Sequence, residues 1–99
     1  MNAGLHLFQL SYWEFNGSYY CNDVKNIGGK SCKWYVPMRI LNLSVEEYIK
    51  LLIEKFNAKR LTYYAPTDYL GFCFLKEADV KAFCSFVNKK AKSLNYYCK

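Results

Sequence analysis

The sequence predicts an α+β domain in which a mainly antiparallel sheet of four to five strands carries two helices on one face. Three observations lead there. Two stretches, residues 43–58 and 77–94, repeat apolar side chains at three- and four-residue steps, as one face of an α-helix does. Between and before them lie shorter stretches rich in aromatic and aliphatic residues, as strands are. Asn16-Gly17 separates two of these stretches, and that dipeptide is the strongest short hairpin signal because a type I′ turn needs positive φ twice.

Residues 5–15, LHLFQLSYWEF, alternate poorly, as a strand covered on both faces would. Phe8, Leu10 and Tyr12 share one face; Leu5, Leu7 and Trp13 share the other. Residues 18–21 make the short return strand. Residues 22–33, NDVKNIGGKSCK, are polar around Gly28-Gly29 and read as a long surface loop. Residues 34–41, WYVPMRIL, read as another strand, placed at an edge or bulged because Pro37 cannot donate to a ladder.

The first helix is the clearest element. Ser44 and Glu47 form an S-x-x-E capping box, and Val45, Tyr48, Ile49, Leu52, Ile53 and Phe56 trace its buried face. A strand at 60–64, a turn at 65–68 and a strand at 69–75 follow. The last of these, YLGFCFL, is apolar on both faces and belongs in the middle of the sheet. In the second helix Val80, Phe83, Cys84, Val87, Ala91 and Leu94 form the buried stripe. Asp79 in its first turn and Lys89, Lys90 and Lys92 in its last suit the helix dipole. The element order is ββαββα, with residues 95–98 as an optional final strand. From residue 34 onward the order alone reads βαββαβ, the ferredoxin-like arrangement, which is the second expectation.

Ninety-nine residues make one domain, residues 1–99. No apolar run approaches the ~20 residues of a membrane helix, and the beginning MNAGLHLFQL lacks a basic leader, so a cytoplasmic chain without membrane contact is expected. Charge is uneven: residues 81–99 hold five lysines and no acid, against an overall net charge of +6. Only Arg39 and Arg60 are arginines, which disfavours bidentate reading of bases. The five cysteines lack C-x-x-C spacing, and Cys73 and Cys84 sit inside apolar patterns as small buried hydrophobes.

Motifs with chemistry fail on inspection. Gly29-Lys30-Ser31 imitates a phosphate loop, but Val24 stands where the first glycine is required and no helix is expected after Ser31. Asp68 with Asp79-Val80-Lys81 imitates a metal-dependent nuclease, yet Asp79 and Lys81 open a helix, where residues two apart face different ways. His6 is the only histidine, so a zinc site would need it with Cys21, Cys32 and Cys98. No metal, no cofactor and no catalytic residue is expected.

Aromatic surface remains. Ten tyrosines and two tryptophans exceed what a core of this size can satisfy. The doublets Tyr19-Tyr20, Tyr63-Tyr64 and Tyr96-Tyr97 each put one ring on each side of a strand. The first functional expectation is therefore a non-catalytic protein-binding module that covers a functional surface of a larger protein or ribonucleoprotein. Its contact residues would be Tyr19, Tyr20, Lys25, Lys30, Lys33, Tyr96 and Tyr97. Size and composition are similar in style to small inhibitors encoded by phages and mobile elements, anti-CRISPR proteins among them, acting on a host nucleic-acid-handling protein in the host cytoplasm. A second expectation is single-stranded nucleic-acid binding, with Lys81, Lys89, Lys90, Lys92 and Lys99 on phosphates and Tyr96 or Tyr97 stacking on bases. A small enzyme is the third, and self-association as a homodimer stays open.

Overall fold

The computed structural model describes residues 6–23, 35–61 and 71–98. Asn16 and Gly17 take φ of 52° and 81°, the two positive values that a type I′ turn demands, and they join β2 (Leu10–Phe15) to β3 (Ser18–Asp23). With that turn fixed, Phe15 pairs with Ser18, Trp13 with Tyr20 and Leu10 with Asp23, in an unbroken antiparallel register. β5 (Gly71–Phe74) pairs antiparallel with β3 through Tyr19 and Phe74, and β4 (Ala58–Leu61) closes the far side of β5. The sheet order β2-β3-β5-β4 makes β5 an interior strand, as its apolar sequence requires, and leaves β2 and β4 as edges among the described strands.

The single strand expected over residues 5–15 is instead two. β1 (His6–Leu7) pairs with β6 (Tyr97–Cys98) in a separate two-stranded ribbon, and the chain then shifts into β2. Phe8 lies at the change-over, buried, its N–H donating to the Tyr96 carbonyl at 2.8 Å. β2 is covered on one face only, not on both.

The stretch 34–41 is the clearest correction. Its described part is a helix, α1 (Tyr35–Leu41), not a strand. Pro37 sits in the first turn, where the N–H it lacks would have no intrahelical partner anyway. Pro37 and Ile40 are buried, with Val36 and Leu41 half-buried beside them, so the apolar run follows helical spacing. The helix stops at Asn42, whose φ is 57° and whose N–H reaches the Arg39 carbonyl while Leu43 reaches that of Met38, the paired bonds of a Schellman cap. This removes the ferredoxin-like order, which needs a strand there, and gives three helices among the described residues rather than two.

Helix α2 (Val45–Lys50) begins with the expected capping box: Ser44 Oγ accepts from Glu47 N–H at 3.2 Å, and Glu47 Oε1 accepts from Ser44 N–H at 2.9 Å. It continues as a π-helical turn, residues Leu51–Lys55, ended by Asn57 at a φ of 55°. The wider winding keeps Tyr48, Leu52 and Phe56 in the core at four-residue steps and turns Ile53 outward; Val45, in the first turn of α2, is exposed as well, and both were expected inside. Helix α3 (Glu77–Ser93) buries Val80, Phe83, Cys84, Val87 and Ala91 as expected, but Leu94 is 51% exposed because the helix has already ended. Asn95 takes a φ of 51°, and the Asn95–Lys92 and Tyr96–Ala91 backbone bonds form a second Schellman cap.

Helix α3 packs on β2, β3 and β5, the π-helical turn after α2 lies beside β4, and α1 packs against α3. Phe83 of α3 is the hub of the core they enclose, 1% exposed, with ring centroids at 5.3 Å to Phe56, 5.6 Å to Phe74 and 6.4 Å to Tyr48. The described part of the strand expected at 60–64 begins earlier, at Ala58, to face Phe74 across the ladder. Residues 62–70, including the expected turn at 65–68 and the Tyr63-Tyr64 doublet, lie outside the described residues, as do residues 24–33 of the loop expected over residues 22–33, whose first two residues instead extend β3 to Asp23. No helix among the described residues is long and apolar enough to cross a membrane.

Candidate protein-binding face and its flanking groove

Alternation along β2 and β3 sorts the hairpin's side chains. Leu10, Tyr12, Tyr19 and Cys21 turn inward: Leu10 belongs to the buried core and the other three pack against it, half-buried. Trp13 and Phe15 turn outward, 45% and 60% exposed, and Tyr20, the cross-strand partner of Trp13, turns outward with them. The Trp13 and Tyr20 rings stack at 5.6 Å with planes 26° apart. Offset stacking of this kind contributes about 0.5–1.5 kcal/mol beyond area burial, which holds both rings in place without covering them. Leu75, just past β5 and 59% exposed, follows on the same side in the register set by Tyr19 and Phe74. Cys73, one step back on that side, is buried, so this face is open at the hairpin and closed at its middle.

The inward face is fastened by polar contacts. Tyr12 donates its hydroxyl to Glu77 Oε2 at 2.8 Å, joining β2 to the first turn of α3. The Glu77 hydrogen bond, with smaller contributions from burial and from the Glu77 charge, raises the Tyr12 phenol above its ordinary value of 10.0. The Tyr19 ring meets that of Tyr12 edge-on at 6.2 Å. Cys21 bonds to the thiol of Cys84, which holds Cys84 below its ordinary value against the opposing effect of burial. Cys32, the other thiol of the metal set considered from the sequence, lies outside the described residues.

Between β2 and α3 runs a shallow groove of about 450 Å³. Asn88 stands at one end, its Oδ1 accepting from the Leu10 N–H at 2.6 Å and its Nδ2 donating to the Leu10 carbonyl at 2.9 Å. Lys81, Lys89 and Lys92 line the groove, and no carboxylate is among the described residues lining it.

The residues singled out in the sequence are dispersed by this arrangement. Tyr20 joins the outward aromatic face, whereas Tyr19 turns to the core. Tyr96 is half-buried, its ring edge-on to Phe8 at 6.2 Å, and Tyr97 is 55% exposed on the terminal ribbon. Lys25, Lys30, Lys33 and Lys99 lie outside the described residues. Lys81, Lys89, Lys90 and Lys92 are exposed on α3, across the sheet from Trp13 and Tyr20. Trp13, Phe15 and Leu75 were not singled out as contact residues. The signal for the first two was present: once Asn16-Gly17 fixes the turn, residues 13, 15 and 20 must share a face.

Among the described residues no three His, Cys, Asp or Glu side chains converge as a metal site would require. What the arrangement offers chemically is apolar contact area on one side and a cationic groove on the other. No protein-family model matches the chain, and no curated protein or solved structure matches it.

Proposed function

We propose that this chain is a non-catalytic protein-binding module that covers part of a larger partner with the outer face of the β2–β3 hairpin. The supporting observation is the grouping of exposed Trp13 and Phe15 with half-buried Tyr20 on one face of the hairpin, with exposed Leu75 alongside. Aromatic rings supply large, rigid contact area with few rotatable bonds, and Trp and Tyr dominate the energetics of protein interfaces. A chain of net charge +6 is repelled by basic surfaces, so the partner presents an apolar patch in acidic or neutral surroundings. For single-stranded nucleic acid the α3 lysines and the Trp13–Tyr20 stack lie on opposite sides of the sheet, so that reading relies on Tyr97, 55% exposed, and on half-buried Tyr96 for stacking. Inhibition of a host nucleic-acid-handling protein is a narrower form of the same proposal and rests on size and composition alone.

The test is affinity capture from host extract treated with nuclease, using the wild-type chain and Trp13→Ala in parallel. A protein retained by the wild type and lost with Trp13→Ala is the expected outcome. Retention that vanishes on nuclease treatment, or that is equal for both chains, refutes the proposal.

A further inference from the structure

β2 is an edge strand among the described residues, and the hairpin geometry states which of its backbone groups are available. In a two-residue hairpin the pair flanking the turn, Phe15 and Ser18, exchanges hydrogen bonds, and bonded pairs then alternate along the ladder. Phe15, Trp13 and Ser11 therefore bond to β3, while Glu14, Tyr12 and Leu10 direct N–H and C=O outward. The Leu10 contacts agree, since both of its backbone groups are held by the Asn88 amide. Asn88 thus occupies Leu10 as a neighbouring strand would, and it ends the free edge at that point. The outward groups of Tyr12 and Glu14 have no hydrogen bond among the described residues.

Edge strands are ordinarily blunted by lysine, proline or a bulge. β2 has none of these: its sequence is LSYWEF and its register is continuous. The groove beside it has room for side chains of one further strand, and its three lysines have no acid among the described residues that line it. Two carboxylates beside the strand are engaged, Glu77 by the Tyr12 hydroxyl and Glu14 by the Gly17 N–H at 2.7 Å.

We infer that β2 accepts an extended segment of a partner protein as a fifth strand, one whose side chains alternate acidic and apolar. The acids lie over the groove against Lys81, Lys89 and Lys92, and the apolar residues lie beside Trp13 and Phe15, extending the outer face. Backbone bonds to Tyr12 and Glu14 give the register, and the charge pattern gives the choice of segment. The same lysines disfavour a second copy of this chain, because pairing two β2 edges would bring two cationic grooves together. The inference rests on the protein-binding reading above for the identity of the occupant and adds the mode of recognition.

The probe is a fluorescein-labelled peptide, Glu-Val-Glu-Phe-Glu-Val-Glu, titrated against the intact chain by fluorescence anisotropy, with amide hydrogen exchange read in parallel. The expected result is saturable binding with slowed exchange at Tyr12 and Glu14. Methylating the peptide nitrogens that face β2 keeps its charge and weakens it at least about tenfold, since each lost bond contributes near 1 kcal/mol. Lys89→Glu weakens it comparably while the unfolding midpoint is kept. Equal affinity for the methylated peptide overturns the inference, because charge alone would then suffice. So does tighter binding of a single-stranded oligothymidine at the same groove, or a dimer in sedimentation whose Tyr12 and Glu14 amides are already protected. Absence of peptide binding overturns it too, and leaves the outer-face proposal to its own capture experiment, in which Trp13→Ala is the discriminating variant.

Discussion

The two faces of the β2–β3 hairpin are built from the same kinds of residue and meet opposite fates. Tyr12 and Tyr19 lie inward, where the Tyr12 hydroxyl reaches Glu77 and both rings pack on the core. Trp13 and Tyr20, one residue along on each strand, are as large and as aromatic, yet they stack on each other at the surface. Hydropathy does not separate these pairs. Parity does, and parity is set by a single two-residue turn, because a slip of one residue would exchange every ring between core and solvent. A ring on the inside is held by fold energetics; a ring on the outside has surface left for a partner.

That contrast can be tested from both sides. Phe83→Ala, at the hub of the inner face, should cost about 3–5 kcal/mol in chemical denaturation. Phe15→Ser, on the outer face, should stay within about 0.5 kcal/mol of the parent. Equal losses would erase the distinction between the faces. Asn88→Ala removes both bonds to the Leu10 backbone and should cost about 1–3 kcal/mol, with faster amide exchange at Leu10 but not at Trp13. Gly17→Ala finds open space for its Cβ but must keep a φ of 81°, so a loss of about 1–2 kcal/mol is expected from the backbone alone. A larger loss, with Trp13 fluorescence shifted, would mean that the turn had slipped register.

The smallest effect concerns pH. The neutral Tyr12 phenol donates to Glu77, and its folded pKa lies above the unfolded value of 10.0. The stability it contributes is therefore fully present below pH 10.0 and is lost as pH rises through the folded pKa. Urea midpoints of the parent should fall in that alkaline window by more than those of Tyr12→Phe. Parallel declines in the two chains would remove the Tyr12–Glu77 bond from the account.

Much of the fold was legible because local chemistry and global packing agree. Asn16-Gly17 dictated its turn, Ser44 and Glu47 their capping box, and the 80, 83, 84, 87, 91 stripe its helix. The stretch at 35–41 was misread because Pro37 argues against a mid-ladder strand and against a mid-helix position alike; only its place in a first turn reconciles it with a helix. The stop signal that would have helped is Asn42. Asn42, Asn57 and Asn95 follow helical segments at positive φ, an asparagine habit that a search for glycine caps overlooks. Ile53 was misplaced because the α-helical period does not anticipate a π-helical turn. On the candidate face, Tyr20 was legible as one half of a doublet. Trp13 and Phe15 needed the added step of carrying the hairpin register outward.

Side-chain footprinting by hydroxyl radicals, on the free chain and on the chain bound to its captured partner, reads the central claim at the residues concerned. Trp13 and Phe15 should be oxidised readily in the free chain while Phe83 is spared, and both should become protected in the complex with Phe83 unchanged. Shielding of Trp13 before any partner is added, or undiminished oxidation of Trp13 and Phe15 in the complex, would contradict a hairpin that packs with one face and binds with the other.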